Sequence, residues 1–129
     1  MSDAVLIDLY TKLFSEARAA QSALDALPGL SLDLQIHRDK VVARLDEPGA
    51  LVEEALDAMS ALLRDLAAER ARETGRVWHD GAPSPDEDLS PRGVAIQVAE
   101  TALARALSAA HAAQDRAHAI ALAARAVAS

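Results

Sequence analysis

The sequence predicts a mainly α domain of the α+β class: three long helices forming a helical bundle, with a β-hairpin between the first and the second. Three observations carry this expectation. Apolar residues recur at alternating spacings of four and three along residues 3–27 and again along 48–74, the pattern that keeps one stripe of a helix facing a partner. Between them, residues 30–45 change to a period of two. Residues 91–128 then run without a helix breaker after Gly93 and are dominated by alanine.

The first helix, 3–27, carries Leu6, Tyr10, Leu13, Ala17, Ala20, Leu24 and Leu27 on its seam. Ser2 is placed to cap it, Asp3 and Asp8 suit the positive end of its dipole, and Pro28-Gly29 stops it. In the segment 30–45, Leu30, Leu32, Leu34 and Ile36 alternate with Ser31, Asp33, Gln35 and His37. After the polar run His37–Lys40 the alternation resumes at Val41, Ala43 and Leu45. Such alternation sends apolar groups to one face of a strand, so a hairpin is expected, leaning on the helices or pairing with a second copy. The competing reading is a short helix that uses Leu30, Leu34, Val41 and Leu45.

Asp46-Glu47-Pro48 opens the helix at 48–74, with the seam Val52, Leu56, Met59, Leu63 and Leu66, and Gly75 closes it. Residues 75–89, rich in Pro and acidic side chains, read as a loop. The helix at 91–128 presents a broad apolar arc, including Ile96, Ala99, Leu103, Ala106, Ala110, Ala113, Ala117, Ala121 and Ala124. At 1.5 Å per residue its 38 residues span about 57 Å, roughly 20 Å more than either other helix, so part of the arc needs a cover from outside. The covering expected is the same helix of a second chain, at a seam built from Ile96, Leu103, Leu107, Ala110, His111, Asp115, Ala117 and His118. Glu100 and Arg125 fall on the same line, so an antiparallel copy would set Glu against Arg and Asp against His.

The whole chain of 129 residues suits one domain, 1–129, burying about two thirds of its unfolded surface. Its net charge of -7 opposes a role in neutralising phosphate backbones, so neither nucleic acid nor an anionic membrane is an expected partner. With no cysteine, thiolate chemistry and thiolate metal sites are excluded, and the cytoplasm is the expected compartment. Residues 1–27 read as neither a signal peptide nor a membrane span. Aromatic residues make up only 2% of the chain, which leaves few walls for a pocket gripping a flat organic ligand. No cofactor is expected.

Three groups of residues are candidates for more than packing. His111 and His118 sit two turns apart, about 10 Å, too far to share one metal on a single helix, where i and i+4 is the usual spacing. They read as edge residues of the helix contact, hydrogen bonded to Asp115 between them. Trp78, His79 and Asp80, with Arg76, form a candidate partner-binding edge of the 75–89 loop, since a tryptophan anchor is common at interfaces; the same Trp78 would also close the end of a helical core.

The third group is Glu53, Glu54 and Asp57, where Glu54 and Asp57 are spaced to share a Mg²⁺ ion. The run Leu51-Val52-Glu53-Glu54-Ala55-Leu56-Asp57 resembles the second acidic motif, Glu-x-x-Asp, of all-helical nucleoside triphosphate pyrophosphohydrolases of the MazG and phosphoribosyl-ATP pyrophosphatase kind. The resemblance implies metal-dependent hydrolysis of nucleotides. Those families carry a further Glu-x-x-Glu pair on the preceding helix, where this chain has the isolated Glu16 and Asp25; a charged, solvated helix face accounts for the same residues. The predicted order helix, hairpin, helix also resembles that of YbaB-type nucleoid-associated proteins, without their Gly-rich strands.

The function expected from the sequence is that of a non-enzymatic protein–protein interaction module, an adaptor, chaperone-like partner or regulatory subunit, acting as a homodimer with an unknown protein partner. The alternative is the pyrophosphohydrolase-like enzyme using Glu53, Glu54 and Asp57. A third is a small-molecule sensor with its pocket at the dimer seam.

Overall fold

The structure is a computed structural model that describes residues 4–51, 53–73 and 91–128. Among the described residues four helices follow one another: α1 (Ala4–Asp25), α2 (Leu32–Leu45), α3 (Glu53–Glu73) and α4 (Pro91–Ala128), with a 3-10 turn at Pro48–Ala50. The expected α+β class and its count of three helices are therefore corrected to a mainly α fold with four helices among the described residues.

The hairpin predicted for 30–45 is α2. Ser31, in an extended conformation, caps it by accepting a hydrogen bond from the Leu34 N–H, which leaves one fewer orphan donor in the first turn. Leu30, Leu34, Val41 and Leu45 are buried, whereas Leu32 and Ile36 are 72% and 57% exposed. The alternation that suggested a strand thus runs through two leucine-type positions that face water. A helix satisfies its backbone internally, while a lone hairpin leaves both edges unpaired, and the burial pattern at i, i+7 and i+11 from Leu34 fits only the helical period. The likeness to the helix, hairpin, helix order goes with the hairpin.

α1 ends as its seam predicts. The amide of Leu27 reaches back to the Leu24 carbonyl at 3.2 Å, and Gly29 takes φ +66°, the left-handed conformation that glycine adopts without steric cost. α4 is one helix of 38 residues, continuous through Gln114 and Asp115.

Cross-links fix the topology. Gln21 Nε2 donates to the Val42 carbonyl and to Asp46, and Arg38 Nη1 donates to the Leu24 carbonyl, so α1 and α2 are antiparallel. His37 meets Asp65, while Ser31 and Asp33 border the same hollow as Arg72, which makes α2 and α3 antiparallel. Arg70 pairs with Glu100, and Gln114 Nε2 donates to the Leu51 carbonyl at 2.7 Å, so α3 opposes α4. Tyr10 and Leu13 lie by Ala110 and Ala113, with Glu16 and Ala19 by Val98 and Arg105, so α4 opposes α1. The result is an up-down-up-down four-helix bundle, in which α2 is the short member and α1 and α4 make the most extensive contact.

The core contains Leu13, Leu24, Leu45, Met59, Leu62, Leu66, Ile96 and Leu103 together with alanines at 17, 20, 55, 99, 106, 109, 110 and 113. Alanines at these positions let the helix backbones approach closely. Among the described residues no polar or charged side chain is buried.

Candidate functional site

The feature that sets this bundle apart is the end of α4. Along its core face the residues Ala99, Leu103, Ala106, Ala110 and Ala113 follow spacings of four and three and are all buried. The same spacing continues through Ala117, Ile120, Ala124 and Val127. Ala117 and Ile120 are half-buried, and every residue from Ala121 to Val127 is exposed, with Leu122 at 50% and Val127 at 88%. The cause is the length of the neighbours. α3 starts at Glu53, one side of the level at which Gln114 grips the Leu51 carbonyl. α1, antiparallel to α4 with Leu13 beside Ala110 and Ala113, runs out at its own first turn. There Val5 and Ile7 are also exposed. The last fourteen residues of α4 extend about 21 Å beyond Gln114, and the first turns of α1 accompany only the beginning of that length.

The projecting part is poor in charge. From Ala117 to Ala128 the only formally charged side chain is Arg125. Depletion of charge at an apolar surface is the signature of the middle of a protein interface.

The residues expected at a helix seam divide accordingly. Ile96, Leu103 and Ala110 are buried in the chain's own core; Leu107 and Ala117 are half-buried; His111, Asp115 and His118 are exposed. Glu100 does not await Arg125 of another copy: Arg70 Nε donates to its Oε2 at 2.6 Å within the chain. Trp78, His79, Asp80 and Arg76 lie outside the described residues, as do Ser2, Asp3 and Val52. Glu53, Glu54 and Asp57 occupy the first turns of α3 with exposed side chains. Among the described residues no three His, Cys, Asp or Glu side chains stand together as a metal site.

Two polar constellations were not visible in the sequence. One is an open hollow of about 280 Å³ between α2 and α3, lined by Ser31, Asp33, Leu34, His37, Asp65, Ala68 and Arg72. His37 Nδ1 lies 3.0 Å from Asp65 Oδ2; a carboxylate only accepts, which places the ring proton on Nδ1 and holds the imidazole across the two helices. Both side chains are about half exposed, so the pair is weak as a stabilising contact. The other is the cluster of Arg92, Glu69 and Arg72. Hydrogen bonding from Arg72 and then from Arg92 holds the Glu69 carboxyl below its ordinary range, against the opposing effect of partial burial. His37 falls where a polar turn was expected, and of the second grouping only the i, i+3 pair Glu69 and Arg72 is local, the partners of Arg92 being far away in sequence.

Among the described residues no helix is long and apolar enough to cross a membrane. Comparison with family models, curated proteins and solved structures finds no match to this chain.

Proposed function

We propose that this chain is a cytoplasmic, non-enzymatic interaction module that acts as a homodimer and holds a further protein partner, in the manner of an adaptor or regulatory subunit. The single observation that supports the reading is the uncovered end of α4, where the bundle's core face continues past the helices that bury it. A helix with that surface gains from a partner by burying apolar area, at about 25 cal/mol per Å². The cysteine-free composition is compatible with a cytoplasmic setting. The acidic balance of -7 favours protein partners over nucleic acid.

Light scattering over a concentration series from nanomolar to tens of micromolar tests the self-association. A mass of twice the 13.6 kDa chain at micromolar concentration is expected. The mass of one chain throughout the series would remove the proposal.

A further inference from the structure

We infer that α2, with its flanking residues 30–46, is a flap that opens as one unit while α1, α3 and α4 stay packed together. The inference stands apart from the homodimer reading and comes from the way α2 is attached. In the ring of four helices α2 stands diagonally across from α4, and among the described residues its extensive contacts are with α1 and α3 only. α4 meets both of those helices more extensively than α2 does. Lifting α2 away therefore leaves the other three helices joined through α4.

Both ends of the segment are held by α4. Arg92 donates to the carbonyls of Pro28 and Gly29 just before it. Beyond it, Pro48 and Gly49 lie by Ala110 and Ala113, and Gln114 Nε2 donates to the Leu51 carbonyl. Between these two clamps the attachment is lighter. Arg38 Nη1 reaches the Leu24 carbonyl at 3.5 Å, longer than the usual range, and His37 and Asp65 are about half exposed. Gln21 adds bonds to the Val42 carbonyl and to Asp46. Three side chains of α2 are buried, Leu34, Val41 and Leu45.

Little in α2 itself keeps it helical without those contacts. Its 14 residues are a length at which an isolated helix is marginal in water. It has one alanine, against six in the 21 residues of α3, and Asp33, Ile36, His37, Asp39, Val41 and Val42 are weak helix formers. The alternation of Leu30, Leu32, Leu34 and Ile36 follows the period of a strand, a local preference at odds with the fold. Detachment and unfolding of α2 are therefore one event, and it bares the flanks of α1 and α3 that Leu34, Val41 and Leu45 cover. Elements of this kind open at a free energy below that of global unfolding.

Hydrogen exchange of the full chain at pH 7, followed by mass spectrometry, tests the flap. Peptides within 32–45 are expected to lose protection together, about tenfold or more sooner than the buried parts of α3 and α4. Their exchange is also expected to depend less steeply on low concentrations of urea, because a partial opening exposes less surface. Ala106→Gly, at a fully buried position in the middle of α4, gives the decisive comparison. The lost helix propensity is expected to speed exchange in α4 by about fivefold and to leave residues 32–45 unchanged. If Ala106→Gly speeds exchange in 32–45 and in α4 by the same factor, the bundle opens as a whole and the flap is overturned. Equal protection and equal urea dependence of α2 and α4 in the parent would overturn it as well.

Discussion

Arg92, at the second position of α4, donates from Nη2 to Glu69 Oε1 at 3.0 Å and from the same guanidinium to the carbonyls of Pro28 and Gly29, at 3.2 Å and 3.1 Å. One side chain thus joins the start of α4 to the last turns of α3 and to the turn between α1 and α2. Charge-assisted hydrogen bonds of this kind are worth about 1.5–3 kcal/mol when sheltered, and both partners are largely sheltered. Arg92→Ala is expected to lower the stability measured by urea unfolding by about 1–3 kcal/mol.

Glu69 makes that stability depend on acid. Its carboxyl titrates lower in the folded chain than in the unfolded one, so the unfolded state binds the proton first. The contribution is complete above the ordinary carboxylate range and is lost as pH falls through the lower folded value. Unfolding followed from pH 7 down to pH 3 is expected to show a smaller acid loss in Glu69→Gln than in the parent.

Gly29 is confined by its backbone conformation. At φ +66° a side chain is strained, and a Cβ there would stand 3.4 Å from Arg92 Nε. Gly29→Ala is expected to cost about 1–2 kcal/mol from the left-handed conformation, with a further loss if the guanidinium is displaced from its carbonyls. Thermal unfolding of Gly29→Ala beside Arg92→Ala and the double variant measures whether the two effects couple.

A pair of substitutions in α2 separates the helix from a strand. Ile36→Lys, on an exposed position, is expected to change stability by no more than about 0.5 kcal/mol. Leu34→Ala, two residues earlier and buried, is expected to cost about 2–5 kcal/mol. In a strand both side chains would share the same face and both changes would be costly.

Close packing of α4 is tested at Ala113, which is 1% exposed in the core. Ala113→Leu forces extra volume between helices and is expected to cost about 1–3 kcal/mol in chemical unfolding. The same substitution at the half-buried Ala117 is expected to cost less.

Much of this architecture can be read from spacing. Leu13, Ala17, Ala20 and Leu24 bury the stripe of α1 that their four-and-three pattern marks, and α4 extends unbroken because nothing after Gly93 interrupts it. The misreading of residues 30–45 has a definite cause. Seven residues of perfect alternation place Leu32 and Ile36 among the apolar positions, but only burial in the assembled bundle distinguishes them from Leu30 and Leu34, and that depends on α1 and α3. The surplus length of α4 was legible, since it follows from counting residues. Which part of its apolar arc remained uncovered was not, because Ile96, Leu103 and Ala110 are claimed by α1 and α3 within the chain. The Arg92 cluster had no signal at all: its partners at Pro28, Gly29 and Glu69 become neighbours only once three connections have folded.

The antiparallel course of α1 and α4 brings Ala4 and the exposed residues near Val127 to one pole of the molecule, while Glu73 and Pro91 lie toward the other. A bulky tag fused at either end of the chain would crowd the pole where apolar surface is exposed. Glu73 and Pro91, between which a label could be inserted, are themselves away from it. Fusion position is therefore itself an experimental variable for this protein, and a terminal fusion that abolishes association, paired with an inserted label that preserves it, would locate the contact without altering a single native side chain.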